Sequence, residues 1–214
     1  MKIDAKVLIM LPLADDLGVD RLREAVRSVV LIPELDESRL LNEITDTDVL
    51  NTGVPVMDES LIRSTITKLI ESGTNLKALA IQGRSFDMID TEAASARHLP
   101  ILYSQTYGHT VAEHAIGLMI CTAKRIQYTG QEFREGRLDY EMRLDLIGTE
   151  LYGKTVGIVG LGHIGRTLAQ RCKLGFDMRV LAYDPYIKRP GSNSQEVELV
   201  DELSELLKES DFVC

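Results

Sequence analysis

The stretch "GIVGLGHIGR", Gly157 to Arg166, places four glycines within ten residues. It overlaps the end of the apolar run "KTVGIVG" and leads straight into the helix-like "RTLAQRCKLGF". A buried strand that ends in glycines and turns at once into a helix fits few architectures, and a parallel α/β sheet is the chief of them. Gly160, Gly162 and Gly165 match G-x-G-x-x-G. In that motif the first glycine permits the tight turn and the second lets a pyrophosphate approach the backbone with no Cβ in the way. The third lets helix and strand pack closely. Free N–H groups at the helix start, those of His163 and Ile164, then face the anion with the helix dipole behind them. A second strand, "MRVLAYD", ends on Asp184. That is about twenty residues beyond the motif, where an acid accepts hydrogen bonds from an adenosine ribose. An acid there repels a 2′-phosphate, so NAD is favoured over NADP, a preference that Lys188 and Arg189 weaken. A glycine turn serving packing alone is the competing reading.

The first hundred residues alternate strand-like and helix-like runs. "KVLIML" (Lys6–Leu11), "DVLNTG", "LKALAIQG" (Leu76–Gly83) and "LPILYS" read as strands. "DRLREAVRSV" (Asp20–Val29), "DESLIRSTITKLIES" (Asp58–Ser72) and "DTEAASARH" read as helices. Such alternation predicts a parallel sheet of its own. From Gly108 to Ile126 the chain is apolar with almost no polar interruption between Ala115 and Ala123. The expectation is a long helix buried on most of its surface, in a domain core or a subunit contact. A domain boundary is expected between Tyr103 and Gly108, giving domains 1–104 and 105–214.

The composition is that of an ordinary globular protein, 44% hydrophobic and 27% charged, with a net charge of -9. An acidic chain with no basic stripe argues against nucleic acid and anionic membranes as partners. The apolar run Val7–Leu11 is too short for a membrane span and unlike a signal peptide. Cys121, Cys172 and Cys214 are odd in number and far apart. They match no zinc spacing and read as reduced thiols of a cytoplasmic protein, with no metal site.

Three stretches together resemble the D-isomer-specific 2-hydroxyacid dehydrogenases, the family that includes D-3-phosphoglycerate dehydrogenases. They are "NLKALAIQGRSFDMID" (Asn75–Asp90), "VAEHAIGLMI" (Val111–Ile120) and "LYGKTVGIVGLGHIGRTLAQRCKLGFDMRVLAYDPY" (Leu151–Tyr186). The resemblance implies a flavodoxin-like substrate domain followed by a partial Rossmann domain, a doubly wound parallel sheet that binds NAD. It implies hydride transfer between NADH and a small 2-keto acid, and a homodimer formed through helix 109–126. It also implies that the backbone of Gly83, Arg84 and Ser85 holds the substrate carboxylate. The family usually has Gly where Ser85 stands, Asn where Met88 stands and Asn where Tyr107 stands, so the resemblance leaves the identity of the acid open.

In the family an Arg, a carboxylate and a His carry catalysis, and all three follow the third Rossmann strand. "DFVC" (Asp211–Cys214) reads as that third strand, so none of the three is expected in this chain and no catalytic residue is assigned. Strand "TVGIVG" is then expected at a sheet edge, and the chain is expected to be an inactive fragment of a longer polypeptide. Of the four histidines, His163 is expected to contribute only its backbone, and His98 reads as a loop residue. His114 follows Glu113 on a helix and forms no pair with it. His109 lies near the expected interdomain hinge, nearest of the four to a cleft, and reads as a structural or solvent residue. The alternative function is a non-catalytic NAD-binding protein resembling the C-terminal-binding-protein corepressors.

Overall fold

A computed structural model describes residues 2–10, 17–52, 59–81, 86–104, 107–144, 146–187 and 197–214. The chain divides into two compact units, Met1–Gln105 and Thr106–Cys214.

In the first unit β1 (Ile3–Met10) is followed by α1 (Leu17–Ala25), β2 (Val26–Ile32), α2 (Glu37–Ile44) and β3 (Val49–Thr52). Then come α3 (Glu59–Ser72), β4 (Ala78–Ile81), α4 (Thr91–Ala96) and β5 (Ile101–Tyr103). The five strands are all parallel, in the order β2-β1-β3-β4-β5. Both faces of β1 are covered, which is why Val7 to Met10 is an unbroken buried run instead of an alternating one. Leu8, Met10, Leu50 and Leu79 pack on Leu40 and Ile44 of α2 and on Ile62, Ile66 and Leu69 of α3. Val7 and Ile9 face the other way, toward Val19 of α1. The expected helix Asp20–Val29 is corrected: the helix stops at Ala25 and Val26 begins β2. Pairing with β1 overrides the helical spacing there, because the β-branched run Val26, Val29, Val30 suits a pleated surface.

The amino ends of these strands are closed by charge. Lys6 is buried and its ammonium pairs with Glu43 at 2.7 Å and Asp46 at 2.5 Å. Asp48 accepts from the Lys6 N–H at 2.7 Å and pairs with Lys77 at 2.8 Å. The Lys77 contact, more than any other, holds the Asp48 carboxyl below the usual carboxylate range. Asp90, inside the stretch that carries the family resemblance, is the N-cap of α4 and accepts from Ala93 N at 2.9 Å.

The second unit opens with α5 (Gly108–Ala123) and α6 (Ile126–Arg134), then a 3-10 turn at Glu141–Leu144. Its sheet is built from β6 (Thr155–Val159), β7 (Arg179–Tyr183), β8 (Glu198–Leu199) and β9 (Phe212–Val213), with α7 (His163–Phe176) and α8 (Leu203–Glu209) between them. The strand order is β8-β7-β6-β9, all parallel. This corrects two expectations. Asp211–Cys214 is not the third strand of the sheet but the fourth, and it lies on the far side of β6 from β7. "TVGIVG" is therefore central, flanked by β7 and β9, and not an edge. The third strand is the two-residue β8.

α5 and α7 contribute Ala112, Met119, Leu168, Ala169 and Cys172 to a core shared with Val156 and Ile158 of β6. Burial pushes the Cys172 thiol up to about 12. It is thus an inert apolar filler at neutral pH. α8 covers the opposite face so closely that a Cβ on Gly157 would lie 2.8 Å from Leu206 Cγ. The first glycine of the opening stretch therefore serves helix packing. The apolar helix also departs from expectation. It breaks at Lys124–Arg125, where Arg125 takes a left-handed φ of 51°. Only Gly108, Ala112, Met119 and Ala123 are buried along α5. Among the described residues, no helix is long and apolar enough to cross a membrane.

Candidate functional site

The site begins where β6 ends. Gly160 follows the strand with φ +98°, a left-handed conformation that side chains disfavour. Its N–H donates to Tyr183 O at 2.8 Å, so the turn stays tied to the neighbouring strand β7. Gly162 is the N-cap of α7, in extended backbone with φ -75°, and no side chain caps the helix. An ideal Cβ on Gly162 meets nothing within 4 Å, so the backbone there faces open space. His163, Ile164 and Gly165 are the first residues of the helix, the positions whose N–H groups have no intrahelical partner. At Gly165 the opposite holds: a Cβ would fall on the carbonyl oxygen of Gly160 and 3.2 Å from Ile158 Cγ2. The turn thus has one glycine for conformation, one that leaves an approach clear and one that admits close packing.

Asp184 stands one residue beyond β7 and is bound to the same turn. Its Oδ2 accepts from Leu161 N at 2.9 Å and its Oδ1 from Tyr186 N at 2.9 Å. These backbone donors, Tyr186 first and Leu161 second, hold the carboxyl below its ordinary range, and the Arg166 charge adds to the effect. Arg166 in turn donates from Nε to Leu161 O at 2.9 Å. The acid that sequence spacing assigned to a ribose is therefore also the clasp of the glycine turn. Sequence reasoning missed this second role, because it depends on the β6–β7 register, which pairs Val159 with Tyr183.

His163 has a second role as well. Its ring lies against the first residue of α5, where a Cβ on Gly108 would strike the imidazole. It also stands edge-on to His109, with ring centroids 6.5 Å apart. His109 itself is held by Arg171, whose Nη1 donates to the His109 carbonyl at 2.9 Å. Arg171 also pairs with Glu113 at 3.0 Å. These contacts lock α5 onto α7 behind the turn.

The structure brings Gly160, Gly162, His163, Ile164, Gly165 and Asp184 into one turn and its clasp. Gly83, Arg84 and Ser85 lie outside the described residues, as do Lys188 and Arg189. The fit to a dinucleotide is read from the turn itself: an uncapped helix start, a clear approach over Gly162 and an ionised carboxylate beside it. The groups that could meet a dinucleotide are the amides of His163 and Ile164, toward a diphosphate, and the Asp184 carboxylate, toward a ribose. Among the described residues no group of three or more His, Cys, Asp or Glu side chains is arranged to hold a metal ion.

Comparison with known proteins gives the following. The profile described as "D-isomer specific 2-hydroxyacid dehydrogenase, NAD binding domain" matches residues 116–214. The chain is 35% identical over 211 residues to a D-3-phosphoglycerate dehydrogenase of Methanocaldococcus jannaschii, covering 97% of this chain and 37% of that protein. It is 35% identical over 187 residues to a hydroxypyruvate reductase of Thermotoga maritima, covering 86% of this chain and 58% of that one. The fold matches that of D-lactate dehydrogenase from Escherichia coli with a TM-score of 0.72 at 29% identity, over 97% of this chain and 63% of that chain. The chain therefore spans between about a third and under two thirds of the length of these relatives.

Proposed function

Residues 116–214 belong to the NAD-binding domain of the D-isomer-specific 2-hydroxyacid dehydrogenases, and from that premise we propose that this chain is the cofactor-binding and substrate-carboxylate-binding part of an NAD-dependent reductase of small 2-keto acids. The bound nicotinamide supplies the hydride. The residues of this chain bind and orient. The amides of His163 and Ile164 hold the diphosphate, and Asp184 accepts from the adenosine ribose while keeping the turn closed. In the first unit the backbone of Gly83, Arg84 and Ser85 takes the substrate carboxylate. No residue of this chain is assigned the acid–base role. The observation that carries this reading is the clasp between Asp184 and Leu161 N, which fixes carboxylate and glycine turn together. The test is a titration of the pure chain with NAD and NADP, followed by calorimetry and thermal unfolding. Saturable NAD binding is expected, with weaker NADP binding and no NADH oxidation in the presence of a 2-keto acid. No thermal shift at millimolar NAD, or equal affinity for the two nucleotides, contradicts it.

The apolar surface of the second unit supports a homodimer, the subunit-contact half of the expectation for helix 109–126. Leu118 on α5 is 56% exposed, Phe133 on α6 73% and Tyr140 78%. Val111, Ile126, Leu144 and Ile147 are exposed along the same segment. Apolar surface of this extent on one segment marks a protein contact. Light scattering is expected to give twice the 23.9 kDa chain mass, and Leu118→Glu to give a single chain that still binds NAD. A monomeric parent chain removes the dimer from the proposal. The free thiols of Cys121, Cys172 and Cys214 favour a reducing, cytoplasmic setting.

A further inference from the structure

An arginine guanidinium carries five N–H donors in a fixed fork and keeps its charge at every accessible pH. Arg166 uses one of them. Its Nε donates to Leu161 O at 2.9 Å, and among the described residues Nη1 and Nη2 meet no acceptor. The residue is exposed. Its place in the helix is also an unfavourable one for a cation. Arg166 is the fourth residue of α7, in the first turn, where the helix dipole repels positive charge. That turn holds no acidic residue, and no side chain caps it. A cation kept at the positive end of a helix calls for an anion close by.

Asp184 is one such anion. Its Oδ2 accepts from Leu161 N, so carboxylate and guanidinium are bonded to the N–H and the C=O of a single residue. The Leu161 side chain is fully buried, which fixes that residue and the two charges attached to it. The Arg166 charge helps to hold the Asp184 carboxyl low, although the backbone donors of Tyr186 and Leu161 weigh more. No direct ion pair joins the two side chains, so the outer end of the guanidinium fork stays open beside the carboxylate.

We infer that Arg166 is a specificity-determining residue that sets how far this site tolerates a phosphate on the adenosine 2′ position, and hence the ratio of NAD to NADP affinity. The inference rests on the proposal that Asp184 meets the adenosine ribose. A carboxylate that accepts from a ribose hydroxyl repels a phosphate put in its place, whereas a nearby arginine accommodates one. Nη1 and Nη2 offer two parallel donors, the arrangement in which arginine binds phosphate best. The guanidinium also offsets part of the Asp184 charge that a 2′-phosphate meets. The two residues therefore act in opposite senses. Asp184 selects against the 2′-phosphate, and Arg166 limits that selection. NAD stays preferred, by a narrower margin than Asp184 alone imposes.

The test is calorimetric titration of the full chain and of Arg166→Gln with NAD and with NADP, which differ only by that phosphate, with thermal unfolding alongside. The readout is the ratio of the two affinities, which cancels any loss common to both nucleotides. Arg166→Gln is expected to widen the ratio in favour of NAD by about tenfold or more, the worth of charge-assisted hydrogen bonds. Arg166→Lys keeps the charge without the fork and is expected to fall between the two. Equal losses of both nucleotides in Arg166→Gln, with a lowered thermal midpoint, show that the side chain only braces the Leu161 carbonyl, and they overturn the inference. A ratio unchanged by the substitution overturns it while leaving the Asp184 reading in place, and so does NADP binding too weak to detect in a parent chain that binds NAD. Binding of neither nucleotide to the parent chain overturns both.

Discussion

Gly165→Ala is expected to abolish NAD binding and to lower the thermal midpoint of the second unit, whereas Gly162→Ala abolishes binding and leaves the midpoint where it was. The two glycines stand three residues apart in one motif, yet they meet different physical demands. At Gly165 a methyl group collides with the Gly160 carbonyl oxygen, a backbone atom, and comes within 3.2 Å of Ile158 Cγ2. Gly160 cannot give way easily. It sits at φ +98° and its N–H is bonded to Tyr183 O at 2.8 Å. The first turn of α7 must therefore swing away from β6. Overpacking of this kind costs about 1–3 kcal/mol. In a unit of this size that corresponds to a midpoint drop of roughly 5–15 °C. The displaced helix start carries the amides of His163 and Ile164 out of register with a diphosphate. At Gly162 the backbone is extended with φ -75°, which alanine adopts freely, and no atom lies within 4 Å of the new Cβ. The fold is indifferent to that methyl group, but it occupies the approach to the helix start. Thermal unfolding and NAD calorimetry on both variants separate the roles. Undiminished NAD affinity in Gly162→Ala removes the diphosphate from this turn.

That contrast also marks what sequence makes legible. The motif, its flanking strand and the acid at the end of the next strand are local patterns, and β6, the turn and α7 follow them closely. The sequence alone did not separate Gly157, which α8 overlies, from the glycines of the turn, because α8 arrives some fifty residues later. The position of Asp211–Cys214 was unreadable for a related reason. β8 is two residues long, Glu198–Leu199, with no apolar run to announce it. It exists through parallel pairing with β7, so a count of apolar runs skips it and gives the next strand its outer place beside β7. The exposed faces of α5 show the other limit. Hydrophobic content states that a helix needs covering, but not whether the cover comes from its own domain or from another chain.

Asp184→Ala is expected to weaken NAD binding by more than the loss of a ribose contact, because the same carboxylate closes the turn. In the intact chain Oδ2 accepts from Leu161 N and Oδ1 from Tyr186 N, both at 2.9 Å, and each oxygen retains a lone pair for a ribose hydroxyl. Alanine removes the ribose acceptor and leaves the Leu161 amide without its partner, so the turn is no longer held in the shape that presents the His163 and Ile164 amides. A loss on the order of tenfold or more follows from forfeiting charge-assisted hydrogen bonds. Asp184→Asn keeps one acceptor oxygen and is expected to fall between the two. The ratio of NAD to NADP affinity narrows in both variants, since the charge that repels a 2′-phosphate is gone. The pH dependence has a definite sign. The Tyr186 and Leu161 N–H groups lower the folded-state pKa of Asp184 below the usual carboxylate value. The contribution of this group is then fully present above the unfolded pKa of about 3.9, and it is lost only as pH falls through the lower folded value. The affinity gap between the parent chain and Asp184→Ala should therefore stay constant from pH 5 to pH 8, and a titration across that range checks it. A gap that closes near neutrality assigns the effect to a group other than Asp184, and equal affinities throughout remove Asp184 from the site.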